Sequence, residues 1–93
     1  MDRKYYIVVA EWNYPTETGR ETIGDFDSKD EALTRGFELC DSEYDNFYDN
    51  CGDPLPPEEC KDEDGNSGVI ITPKNGLDDW FYVVRIVEMR NFR

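Results

Sequence analysis

Residues 28–51 read SKDEALTRGFELCDSEYDNFYDNC, and this stretch decides the fold. Ser28 and Glu31 stand in capping-box spacing, where the Ser28 hydroxyl can accept from the Glu31 amide while the Glu31 side chain reaches back, so a helix starts there. At 100° per residue, Leu33, Phe37, Cys40, Tyr44, Phe47, Tyr48 and Cys51 share one apolar face, and Gly52 supplies a stop. A long amphipathic helix is expected over about residues 28–50. Its second half is rich in Asp, Asn and Ser, which are poor helix formers, so an end as early as Asp45 stays open.

On the opposite side of that helix, Glu31, Glu38, Asp41, Asp45 and Asp49 fall within about 80° of one another and form a ridge of carboxylates. Asp41/Asp45 and Asp45/Asp49 are like-charge neighbours one turn apart, each unfavourable by about 0.2–0.5 kcal/mol, and only Arg35, four residues after Glu31, is placed to compensate. Asp45 and Asp49 also approach the carbonyl end of the helix dipole, where anions are disfavoured. A sequence tuned for stability alone would carry lysines there, and local rules broken without local gain point to function.

Working outward, Tyr5–Trp12 is rich in aromatic and β-branched residues and reads as a strand, ended by Asn13-Tyr14-Pro15. A second strand follows from about Arg20 to Phe26. After the helix, Gly52-Asp53-Pro54-Leu55-Pro56-Pro57 cannot continue it, and the acidic run to Gly68 reads as a mobile loop over about residues 52–68. Val69–Thr72 reads as a short strand, Asn75-Gly76 as a tight turn and Trp80–Met89 as the longest strand. The expected fold is α+β: a ββαββ order giving a four-stranded, mainly antiparallel sheet packed on one long helix, in a single domain over residues 1–93.

The first and last strands are apolar on both parities, and one helix covers only one sheet face. The other face is left for the Pro-rich loop, a second copy or a partner, with Trp12 and Phe81 as the residues whose charge substitution would separate a homodimer. Parity alone does not say which face the helix takes.

The net charge is −12 over 93 residues, and its placement is uneven. From Asp25 to Asp64, fifteen acids meet only Lys29, Arg35 and Lys61, so this segment alone carries −12 while the remainder is neutral. Such a field repels nucleic acid and anionic lipid and attracts basic protein surfaces. Direct nucleic-acid and membrane binding are therefore not expected. The absence of a long apolar run or a leader pattern, with three irregularly spaced cysteines, suits a cytoplasmic protein.

Chemistry is sparse. There is no histidine, which removes the commonest general base, the Ser-His and Cys-His pairs and the imidazole metal ligands. No Gly-rich phosphate loop appears. Cys40, Cys51 and Cys60 are too few and too widely spaced for zinc, and a Cys51–Cys60 bridge stays open. Asp62-Glu63-Asp64-Gly65-Asn66 has part of a calcium-loop pattern, but aligning Gly65 with the loop glycine puts Cys60 and Ile71 where carboxylate ligands belong. No enzyme activity, cofactor or metal site is expected.

What remains is a protein-binding module whose partner-binding residues are Glu31, Glu38, Asp41, Asp45 and Asp49 on the helix with Asp62, Glu63 and Asp64 in the loop. Carboxylates one turn apart lie about 6 Å from one another, a repeat comparable with successive phosphates of a nucleic-acid strand, so the sharper form of this reading is a nucleic-acid mimic or inhibitor occupying a basic groove. Two alternatives accompany it: a structural or adaptor homodimer pairing through the apolar sheet face, and low-affinity divalent-ion binding in the acidic loop.

Overall fold

The computed structural model describes residues 3–74 and 79–91; the expected Asn75-Gly76 turn lies outside them. The chain runs β1 (Arg3–Asn13), β2 (Thr18–Phe26), α1 (Lys29–Cys51), β3 (Glu58–Lys61), β4 (Ser67–Ile71) and β5 (Phe81–Asn91). The strands form one antiparallel sheet in the order β2-β1-β5-β4-β3. The class is α+β as expected, but the sheet has five strands and the order is ββαβββ.

The added strand, β3, lies within the stretch read as a mobile loop. Pro54, Pro56 and Pro57 lack the N–H that a ladder needs, so regular pairing begins after them, with Glu58↔Ile70 through Lys61↔Ser67. Its charged residues and four-residue length suit an edge strand, where long apolar edges invite unwanted pairing. The turn beyond it is built by Asp62. Its carbonyl accepts from Gly65 N–H at 3.1 Å, and its Oδ1 accepts from the amides of Asp64 and Asn66 at 3.0 and 2.9 Å. Gly65 takes a φ of +84°, the left-handed conformation that follows such a turn in three-residue hairpin loops.

β1 and β5 are apolar on both parities because they lie at the centre of the sheet. Tyr6, Val8, Ala10 and Trp12 share the helix-side face with Tyr82, Val84 and Ile86, in register as Val8↔Ile86, Ala10↔Val84 and Trp12↔Tyr82. Val69 and Ile71 extend that face into β4. On β2 the pairing steps from Val8↔Gly24 to Val9↔Thr22, passing over Ile23, which packs against the core from this bulge.

The helix starts and ends as its caps dictate. Ser28 accepts from the Glu31 amide at 3.4 Å, and Gly52, at φ +87°, sends its N–H to the Tyr48 carbonyl at 3.0 Å. The helix runs to Cys51, so its acidic second half is helical. The buried face is not the expected one, however. Ala32, Gly36, Cys40, Phe47 and Cys51 are buried, whereas Phe37 is 38% and Tyr48 55% exposed. The packing face is turned by about 50° from the bulky apolar stripe, at 100° per residue. Gly36 is the reason: a Cβ there would stand 3.1 Å from Val69 Cγ2, so the helix approaches β4 most closely along its small residues.

The opposite sheet face, with Tyr5, Ile7, Val9, Ile70, Phe81, Val83 and Val87, is covered by no helix among the described residues. Glu11 lies at its middle, held by Arg85 at 3.0 Å and Arg20 at 3.9 Å. Trp12 is not on this face. It stacks on Tyr82 on the helix side, centroids 6.3 Å apart, so of the two residues expected at a dimer contact only Phe81 lies there.

Candidate functional site: an acidic helix face

The helix directs Glu31, Glu38, Asp41, Asp45 and Asp49 into solvent, and all five are exposed. Their mean direction lies almost diametrically opposite the buried face of Ala32, Gly36, Cys40, Phe47 and Cys51, taking 100° per residue. The ridge extends about 27 Å at 1.5 Å per residue. None of the five carboxylates makes an ion pair or hydrogen bond with a described residue, and Arg35, placed to compensate Glu31, does not pair with it.

The acidic loop divides. Asp62 is turned inward to the hairpin: besides the two backbone amides on Oδ1, Asn66 Nδ2 reaches its Oδ2 at 3.3 Å. These donors, the Asn66 amide foremost, hold its carboxyl below the usual carboxylate range. Glu63 and Asp64 are exposed at the turn. Asp64 shares a cleft of about 240 Å³ with Lys29 and Glu88 beside the helix start, so the fold brings the loop near the Glu31 end of the ridge. Asp49 lies about 30 Å along the helix from Lys29 at 1.5 Å per residue. The eight residues thus form one long face with a separate cluster at one end.

No three His, Cys, Asp or Glu side chains among the described residues converge as a metal site, and Asp62 has its oxygens engaged by the turn. All three cysteines are free thiols. Cys60, in register with Gly68 and Arg85, lies on the uncovered sheet face, whereas Cys51 is buried under the helix, so the sheet separates the pair considered for a bridge. Burial pushes the Cys40 thiol up to about 12 and raises those of Cys51 and Cys60.

The sequence reading missed the tip of the first hairpin. Tyr14 is only 4% exposed, packs edge-on against Phe47 with centroids 5.8 Å apart, and donates to Glu43 Oε1 at 2.6 Å. Asn46 Nδ2 donates to the same oxygen at 2.6 Å. An aromatic residue between Asn13 and Pro15, in an otherwise polar turn, was the available signal.

No helix among the described residues is long and apolar enough to cross a membrane. The chain matches no known family model, no curated protein and no solved structure.

Proposed function

We propose that this protein is a non-enzymatic binding module whose acidic helix face engages a basic protein surface, in its sharper form a surface built for nucleic acid. The observation that carries this reading is the unpaired ridge: five exposed carboxylates, opposite the core, with no described cation to neutralise them. Their mutual repulsion is unfavourable within the chain and becomes favourable only when an outside cationic surface meets them. Phe37 and Tyr48, exposed beside the ridge, add the aromatic contact area typical of interfaces. The protonated state of all three thiols and the lack of histidine support a binding role over a catalytic one.

The test compares the wild-type chain with a variant carrying Glu38→Asn, Asp41→Asn, Asp45→Asn and Asp49→Asn, in capture from a host lysate at physiological salt. One nucleic-acid-handling protein should be retained by the wild type, lost by the variant and displaced by duplex DNA. Equal capture by the two chains, or a variant that no longer melts cooperatively, would sink the reading.

A second reading, a homodimer through the uncovered sheet face, is favoured by charge. Glu11 is matched there by Arg85 and Arg20, so this apolar face is a place where two copies of a −12 chain can meet without opposing carboxylate rows. Light scattering should then give twice the chain mass, and Phe81→Glu should halve it; a monomeric mass at every concentration removes this reading.

A further inference from the structure

Between the first hairpin and the helix lies a cavity of about 230 Å³, walled by Trp12, Tyr14 and Tyr82 and by Glu17, Glu21 and Glu43. It does not include the ridge carboxylates. Glu17 and Glu21 are exposed, while Glu43 is half-buried. The Tyr14 hydroxyl and the Asn46 amide both donate to Glu43 Oε1, which fixes the carboxylate and leaves Oε2 without a described donor. None of the three glutamates has a described cationic partner.

Tyr82 adds a buried polar group to the cavity wall. The residue is 6% exposed, yet its hydroxyl makes no hydrogen bond to a described residue. No side-chain N or O sealed from solvent lacks a partner among the described residues, so this hydroxyl keeps contact with solvent, and the cavity is the one Tyr82 lines. Burial first, then Glu43, Cys40 and Glu21, push its ionisation up to about 12, with Arg35 acting in the other direction. It is thus a neutral phenol facing carboxylates. Trp12 holds its place because residue 19 is glycine: a Cβ there would lie 2.2 Å from the indole Cζ2.

We propose that this cavity is a guanidinium site, taking an arginine side chain between the aromatic wall of Trp12 and Tyr82 and the carboxylates of Glu17, Glu21 and Glu43. The carboxylates and ring faces call for a cationic donor, and the Tyr82 hydroxyl oxygen can accept from one as well; arginine offers five donors, no acceptor and a plane that stacks on aromatics. A quaternary ammonium would use the rings but bring no donor to Glu17, Glu21 or the Oε2 of Glu43. The inference rests on the basic-partner reading only for the carrier of the arginine. The cavity lies beside Asn46, which is about 100° around the helix from Asp45 and about 60° from Asp49 at 100° per residue, so a partner lying along the ridge can place one side chain in it.

The test is an amide and indole NMR titration of the whole chain with N-acetyl-arginine methylamide, its neutral isostere N-acetyl-citrulline methylamide, and tetramethylammonium. The arginine probe should move the Trp12 indole N–H signal and leave that of Trp80, which lines a separate basin, in place. Glu21→Gln, at an exposed position, and the near-isosteric Tyr82→Phe should each weaken binding about tenfold, the loss of one charge-assisted or buried hydrogen bond. The fourfold ridge variant should still bind the probe. No Trp12 shift with the arginine probe, or an equal one with citrulline, overturns the proposal, and tighter binding of tetramethylammonium overturns the guanidinium assignment. Probe binding without partner capture leaves the cavity standing and removes the ridge reading; partner capture without probe binding does the reverse.

Discussion

Tyr14 couples the first hairpin to the helix through one hydroxyl and one ring edge. Its burial and the Glu43 carboxylate both favour the protonated phenol, holding its ionisation well above the usual tyrosine range. Replacing Tyr14 with Phe should keep the contact with Phe47 and lose the bond to Glu43, lowering stability by about 1–2 kcal/mol. Urea unfolding would show this as an earlier midpoint with an unchanged slope. Little of this was legible beforehand, because a tyrosine followed by proline in a polar turn reads as turn chemistry. Only the three-dimensional approach of Glu43, 29 positions away, gives it a task. Asp62 is the complementary case. An Asp three residues before a glycine signals a turn as readily as a cation loop, and in the fold its oxygens take the donors of its own hairpin.

At the scale of elements, the helix was the most legible part, since its capping residues, its stop and its carboxylate ridge follow from spacing alone. Its packing face was not, because side-chain bulk marks an apolar stripe but does not show how closely a helix can approach a sheet. Ala32 and Gly36 contribute little hydrophobicity but let the helix axis come near Val69 and Val84. Gly36→Leu should therefore destabilise by about 1–3 kcal/mol through overpacking, despite leucine's better helix propensity; a raised melting temperature would refute the close-approach account. The ridge predicts the opposite sign. Asp45→Lys and Asp49→Lys relieve repulsion and complement the dipole, so each should stabilise by about 0.5–1 kcal/mol at low salt while weakening partner capture, as thermal melts beside the capture assay would record. β3 was illegible because Glu-Glu-Cys-Lys carries no strand signal of its own. It is strand by virtue of its neighbour, whose Val69 and Ile70 fix the register.

For the whole molecule, the uneven charge was plain in the sequence, and the fold gives it direction. Acids gather on the helix and hairpin turn, while the uncovered sheet face carries the Glu11–Arg85–Arg20 group and apolar side chains. Stability should respond to alkali for a different reason. Burial raises the Cys40 thiol from 9.0 when exposed to about 12 when folded, and Tyr82 shifts from 10.0 to about 12. The unfolded chain therefore gives up these protons first, so their contribution is complete below pH 9 and is lost as the pH climbs toward 12. Denaturation midpoints should hold steady up to about pH 9 and fall above it. In Cys40→Ala the early part of that fall should shrink; an unchanged alkaline profile in this variant would assign the decline elsewhere.

The central pairing of β1 with β5 joins strands whose partners, Arg3 with Asn91 through Asn13 with Phe81, stand as far apart in the chain as its described strands allow. During synthesis, a chain that has not yet reached Phe81 holds the β1–β2 hairpin, the helix and the β3–β4 hairpin with no strand to join them into one sheet. Folding of this sheet must then wait until β5 has left the ribosome, and its rate should be set by closing that one large loop. Until then the apolar sides of β1 and β4 stay open to chaperones, and an interrupted product ending before Phe81 should meet proteolysis before it meets a partner.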